Sequence, residues 1–416
     1  MAAPGKIRIE RLAWSDPPLA DLAMTKGTMR LTRSLTSGLS RGALDPPGTF
    51  WGVGDRGPNI KPKDAVARYG LTALAAATAI DGAKVMPLPT AGPSVARFRI
   101  DGDAVVLEEA LPLRTPDGAA ISGLPLPLAE QENEPALALD GQPLGCNPRG
   151  ADSEGIACLP DGRMWIAEEY GPSLLLVDRS GTVLRRCVPH GTSAAFAGSG
   201  MEIAETIDPL ALVRKLNRGF EALALSPDGT TLYTAFQSPL SHPDRAAHQQ
   251  SDLVRIWALD PADGSLQAEY AYPLDPPETF QRDCELGPVA RDDVKVSELA
   301  MLGDGSMLVL ERVTQSTKLY HVRPDAGRAL PPEWRDPARR PTLEQLGAAG
   351  LRAAGVPVLA KHLVLSTDDH SEIGCDLEGL IALDPTTLLL ASDSDYGTEG
   401  AVTGFWRVVL PEPLWA

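Results

Sequence analysis

No run of about 18 apolar residues occurs in the 416-residue chain, so no membrane-spanning helix is expected. Positive charge is scarce: 38 Lys and Arg stand against 55 Asp and Glu, a net charge of −17. That balance argues against nucleic acid and anionic membrane surfaces as partners. It suits cation binding, although a solvated acidic surface is its commoner origin. Cysteine is sparse as well. Cys146, Cys158, Cys187, Cys284 and Cys375 form no C-x-x-C pair, which disfavours a structural zinc site. Their odd number leaves at least one thiol outside intrachain pairing. The six histidines show no H-x-x-x-H spacing. No G-x-x-x-x-G-K-[ST] loop occurs, which disfavours a P-loop nucleotide site. The start, Met1-Ala2-Ala3-Pro4-Gly5-Lys6, lacks an apolar h-region. That fits a cytoplasmic chain, or one whose signal peptide has been removed.

Turn formers, by contrast, are plentiful, with 39 Gly and 38 Pro. One stretch sets the pattern. Asp152-Ser153-Glu154-Gly155-Ile156-Ala157 runs through Pro160-Asp161-Gly162 into Trp165-Ile166-Ala167-Glu168-Glu169-Tyr170. Asp-Gly between two apolar runs signals a hairpin, because a tight turn needs positive φ. The same layout recurs from Glu221 through Asp228-Gly229 to Gln237, from Glu298 through Asp304-Gly305 to Glu311, and from Glu378 through Asp384-Pro385 to Asp393. A weaker copy runs from Ser37 to Asp55. Four clear copies with one layout constitute an internal repeat.

Further strand pairs follow the hairpins, so each unit reads as four antiparallel strands. Four-stranded units repeated around a ring form a β-propeller, which hides the sheet edges. The expected fold is therefore all-β, one propeller over 1–416. Six blades are expected, with five or seven open and a β-sandwich as the alternative. Clear unit starts lie 67, 77 and 80 residues apart (154 to 221, 221 to 298, 298 to 378). These exceed the usual ~40–50 residues per blade, so insertions are expected near 60–92, 114–150, 191–217 and 326–355. Short helices are expected at 71–80, 191–217 and 343–354. The strand at 7–12 is expected to pair with 404–410 and close the ring.

In such a ring the innermost strands line a channel. The repeated acids Glu154, Glu221, Glu298 and Glu378 would then converge on one face. Asp55, Glu168, Glu169, Glu311, Asp393 and Asp395, at the ends of second strands, would add a second tier. Crowded carboxylates raise one another's pKa unless a cation, a basic side chain or a proton relieves them. Calcium, which takes six to eight oxygen ligands, is the expected cofactor, with other divalent metals open. The expected metal ligands are Glu154, Glu221, Glu298, Glu378, Asp55 and Asp393. Arg56 and Arg312 are candidates to clamp an anion, and Glu168 or Glu311 to act as general base. The bland reading is that acids at strand ends bond backbone N–H groups or tie blades together. Asp228 and Asp304 read as turn residues, and His370, beside Asp368-Asp369, as a solvated loop histidine.

In combination, Asp55-Arg56-Gly57-Pro58-Asn59, Asp152-Ser153-Glu154-Gly155, Glu168-Glu169-Tyr170-Gly171, Gly219-Phe220-Glu221, Ser297-Glu298-Leu299, Glu311-Arg312 and Leu377-Glu378-Gly379 with Asp393-Ser394-Asp395-Tyr396-Gly397 resemble the phytase-like family. The resemblance runs from about Ser37 to Trp406. It implies a mostly bacterial, often exported propeller with repeated Glu and Asp and a phosphoesterase or phosphodiesterase role. Periplasmic or secreted placement would follow, although this start lacks a signal-like run. Ser392-Asp393-Ser394-Asp395 stands where the family has Asn-Asp, so one metal ligand differs. The leading expectation is a soluble, monomeric, metal-dependent hydrolase of a small-molecule phosphate ester. A lactonase or carboxyl-esterase with the same metal is its variant. A non-catalytic binding propeller with structural acids is the rival.

Overall fold

The computed structural model describes residues 6–128 and 134–416. Residues 1–5, at the chain start, and 129–133, inside the expected 114–150 insertion, lie outside the described residues. Asp-Gly turns do the local work. Gly162, Gly229 and Gly305 have φ of 89°, 73° and 81°, where a side chain would be strained. The acid before each accepts a backbone N–H two residues on: Asp161 from Arg163 (3.0 Å), Asp228 from Thr230 (3.1 Å) and Asp304 from Ser306 (3.0 Å). These acids are turn residues, as their spacing implied.

Five sheets of four or more strands result. The first holds Gly38–Ser40, Thr49–Val53, Ser94–Asp101 and Ala104–Pro112. The second holds Ser153–Cys158, Met164–Glu168, Ser173–Val177 and Val183–Pro189. The third holds Phe220–Leu225, Leu232–Phe236, Leu253–Leu259 and Leu266–Pro273. The fourth holds Lys295–Met301, Met307–Arg312, Thr317–Val322 and Lys361–Ser366. The fifth holds Leu377–Asp384, Thr387–Ser392 and Phe405–Val409, and is completed by Arg8–Leu12 from the other end of the chain.

The first strands pack on one another in chain order, and that of the fifth sheet returns to that of the first. All five first strands line one cavity of about 310 Å³, through Leu39, Cys158, Leu223, Leu299 and Leu380 among others. The sheets thus radiate from a common axis in the manner of a β-propeller. Two glycines permit the close approach: a Cβ at Gly38 would lie 2.4 Å from the Glu154 carbonyl oxygen, and one at Gly155 would lie 2.7 Å from the Leu223 nitrogen. Second strands such as Thr49–Val53 and Leu232–Phe236 are buried throughout, since sheets cover both their faces. That explains their unbroken apolar runs. Phe50, Phe98 and Phe405 join the first sheet to the fifth, with centroids 5.0 to 6.1 Å apart.

Several expectations change here. Five such sheets, not six, lie among the described residues. The length that was to hide another instead forms the helix Pro62–Tyr69, a 3-10 segment Thr72–Ala79 and the short pair Lys84–Val85 with Ala136–Leu137. The expected helix at 191–217 is the strand Glu202–Ile207, flanked by 3-10 turns. It adds in parallel to Val183–Pro189, because an open sheet edge there offers backbone partners that near-helical apolar spacing alone does not reveal. The helix Leu343–Ala353 forms as expected, kinked at Gly347. A hairpin of Pro18–Ala23 and Thr28–Thr32 was not foreseen.

The closing strand should matter through burial rather than surface charge. Leu12 is 2% exposed, against Phe50, Phe98 and Phe405. Glu10 pairs with Arg407 at the surface. Leu12→Ala should cost about 2–5 kcal/mol in denaturant unfolding, and Glu10→Ala less than about 1 kcal/mol.

Candidate functional site

The hairpin turns lie at one mouth of the axis, and the starts of the inner strands at the other. Backbone register decides which acids meet there. In the second to fifth sheets the pairing of first and second strands slips near its start: between Ser153 and Ile156, Phe220 and Ala222, Val296 and Glu298, and Leu377 and Gly379. Such bulges re-aim the bulged residue. Glu154, Glu221 and Glu378 fall within them. In the fourth sheet the bulged residue is Ser297, while Glu298 pairs regularly opposite Leu310. The four glutamates align in sequence but not in register.

Glu298 is fully buried, and its two oxygens accept the N–H groups of Leu39 and Leu299, both at 2.9 Å. Glu221 accepts from Gln237 Nε2 at 2.8 Å, and Ser297 Oγ donates to it at 3.4 Å. Glu378 is paired with Arg312. Asp393 accepts from Ser34, Ser37 and the N–H of Ser394. The expected single point shared by Glu154, Glu221, Glu298, Glu378, Asp55 and Asp393 is therefore not formed. Most of these carboxylates already have donors of their own.

A smaller group does converge. Carboxylate oxygens of Asp55, Asp152 and Glu154 all lie within 4.8 Å of one another. Asp152 is buried, and its Oδ2 accepts no hydrogen bond; Arg56 Nη1 stands 3.4 Å away. Burial pushes Asp55 well above the usual carboxylate range, and Asp152 adds to it. Burial does the same to Glu154, reinforced by Asp55, Glu221, Asp152 and Glu169. Next to them Glu169 is buried, with Oε1 unpartnered among the described residues. Burial and then Glu221 and Asp152 hold it high. An all-oxygen donor set with an unsatisfied buried oxygen fits a hard divalent cation.

The two expected bases sit elsewhere. Both oxygens of Glu168 are occupied: they accept N–H groups of Asp152, Tyr170 and Gly171, Ser173 Oγ, and Arg186 Nη2 at 2.9 Å. Glu311 accepts from Tyr272, Lys361 and the N–H of Asp275. Glu168 ties strands of the second sheet to one another, and Glu311 joins the fourth sheet to the third. The side chain that faces the site is Glu169, one residue beyond Glu168. The two arginines are committed as well. Arg56 pairs with Glu134 at 2.5 Å, and Arg312 with Asp376 at 3.0 Å and with Glu378. His370 stays in its loop, 3.7 Å from Glu372.

Two basic residues were not picked out. Arg218 and Lys295 each stand three positions before a repeated acid, Glu221 and Glu298, which is the signal that could have found them. Backbone strain also marks this mouth. Asn217, Asp376, Asp395 and Tyr396 are the non-glycine residues with positive φ among the described residues. Asn217 accepts from Arg56, Asp376 from Arg312, and Tyr396 donates to the Asp55 carbonyl. Strain held by such partners gathers at functional sites.

A family model described as "Phytase-like: Esterase-like activity of phytase" matches residues 34–396. The chain belongs to the phytase-like family. An "Uncharacterized secreted protein" of Arthroderma benhamiae is 28% identical over 298 residues, covering 64% of this phytase-like chain and 54% of its own length. The chain thus matches about half of that fungal relative. Among solved structures, the PQQ-bound aldose sugar dehydrogenase of Streptomyces coelicolor covers 98% of this chain and 99% of its own, at 10% identity and a TM-score of 0.34. Virginiamycin B lyase of Staphylococcus aureus covers 97% and 99%, at 10% identity and a TM-score of 0.32. Likeness at that level carries no argument about chemistry.

Two measurements follow for this phytase-like site. Glu168→Gln leaves Arg186 buried against a neutral partner, so it should cost roughly 3–5 kcal/mol of stability. Calorimetry or denaturant unfolding reads this. Asp393 is raised by burial and by Asp395, from 3.8 to about 6. A raised acid stabilises the fold below its unfolded value, and that contribution is lost as pH rises through the folded value. Relative to wild type, Asp393→Asn should therefore gain up to about 3 kcal/mol as pH rises through this window, read as unfolding free energy against pH.

Proposed function

We propose that the protein is a metal-dependent hydrolase of a small-molecule ester, acting on a phosphate ester or diester at this channel mouth. The observation that carries the reading is the convergence of Asp55, Asp152 and Glu154 within 4.8 Å. These three would hold the cation, calcium or another hard divalent metal. When bound there, such an ion polarises the ester and makes water a better nucleophile.

The chain's own groups supply the rest. Glu169 Oε1, buried and unpartnered, takes a proton from the attacking water. Burial, Glu221 and Asp152 raise it above the usual carboxylate range, which strengthens it as a proton acceptor. The water oxygen forms the new bond to phosphorus. The ester oxygen leaves with the electrons of the broken P–O bond and receives a proton. Arg56, fixed by Glu134 and Asn217, keeps its charge beside Asp152. A carboxyl ester is the second reading. The family description favours it, and so do the ion pairs that tie Arg56 and Arg312, both expected phosphate clamps.

The test uses chelated protein, bis(p-nitrophenyl) phosphate and p-nitrophenyl acetate. Calcium, magnesium or manganese should raise Tm and start turnover of one substrate. Asp152→Asn and Glu154→Gln should lose both responses. Glu169→Gln should keep the Tm response while kcat falls about 10²–10⁴-fold. Turnover that ignores chelation, or survives in Asp152→Asn, would overturn the metal reading.

A further inference from the structure

A second feature lies beside the acid group. Arg218 and Lys295 line a cavity of about 360 Å³ with Asp283, Asp293, Val313 and Thr314. Neither base has an ion pair among the described residues, in a protein whose net charge is −17. Nη1 of Arg218 is buried with no hydrogen-bond partner among the described residues. The two acids of the cavity do not neutralise them. Asp283 accepts the N–H groups of Thr314, Gln315 and Ser316, and Asp293 accepts that of Ala290.

The pair sits close to other positive charge. Lys295 stands opposite Arg312 in the fourth sheet. Burial, then Arg312 and Arg218, push the Lys295 ammonium down to about 8. Arg312 is held by Asp376 and Glu378, and its Nε donates to Ser297 Oγ. Glu169, Glu221 and Glu378 act on the pair without forming an ion pair with it among the described residues, so its donors stay open to a further anion. An oxyanion with several lone pairs meets both a guanidinium fork and an ammonium.

We infer that Arg218 and Lys295 form an oxyanion subsite, taking a phosphate or carboxylate group of the substrate away from the bond that is cut. The inference rests on the hydrolase reading for its place in catalysis. It narrows the substrate class to esters carrying a further anionic group. Arg218 and Lys295 are positioning residues in this scheme. Glu169 and Glu221 border the subsite, since Arg218 acts on both. An anion seated on the bases therefore lies one side chain from the acid group.

Inorganic phosphate is the probe, titrated calorimetrically into the full chain in chelator. Saturable binding in the millimolar range or tighter is expected. Arg218→Met and Lys295→Met should each weaken it by roughly tenfold or more, with Tm recorded to show folded protein. Lys295→Arg should keep most of the affinity, and Asp152→Asn should leave it unchanged. No saturable binding to wild type, or wild-type affinity in both Met variants, overturns the subsite. Phosphate binding that behaves as expected, in a protein that hydrolyses neither test ester with any metal, keeps the subsite and removes the hydrolase reading. In an active protein, Lys295→Met should raise KM for an ester bearing a second anion and leave KM for p-nitrophenyl acetate unmoved.

Discussion

Five inner strands meeting around one axis bring their starts together, and the second residue of three of them is a glutamate. Glu154, Glu221 and Glu378 all lie at the same mouth, with Asp55, Asp152 and Glu169 beside them. Burial raises nearly every one, and their mutual repulsion adds to it. The rest of the mouth answers that repulsion. Arg312 meets Glu378, Gln237 meets Glu221, hydroxyls surround Asp393, and Arg56 stands against Asp152. Glu169 Oε1 is left without a hydrogen bond among the described residues, and Asp152 Oδ2 has only the ion pair with Arg56.

The same charges serve two ends that sequence pattern does not separate. Glu168 and Glu311 end second strands and are fully buried, yet they function as joints: one against Arg186, the other between Tyr272 and Lys361. Glu169 differs from Glu168 by one position and points to the other side of the strand. Side chains alternate along a strand, so one residue separates a joint from a candidate base.

Charge is laid out unevenly across the mouth. The acid group lies between the second sheet and the Asp55 loop. The unpaired bases lie where the third and fourth sheets begin. On the proposed reading, such separation sets one end of a substrate at the acid group and the other at the bases, and so fixes its orientation.

The sequence by itself determined the repeat, the hairpins and the closing strand, because turn chemistry and apolar periodicity are local. Pro227-Asp228-Gly229 makes its turn wherever it stands, and the strand ending in Leu12 had to find the apolar edge at Phe405. The sequence also marked the acid-rich mouth, through the recurrence of Glu after Ser, Phe or Leu. Tertiary structure alone decided the number of sheets, since the length between Leu39 and Glu154 beyond the strands of the first sheet went into helix, loop and a short strand pair. It alone decided which acids share a point. A bulge at Ser297 instead of Glu298 turns one glutamate onto the Leu39 and Leu299 N–H groups, and register of that kind is set by contacts between strands, not by the residues of one strand.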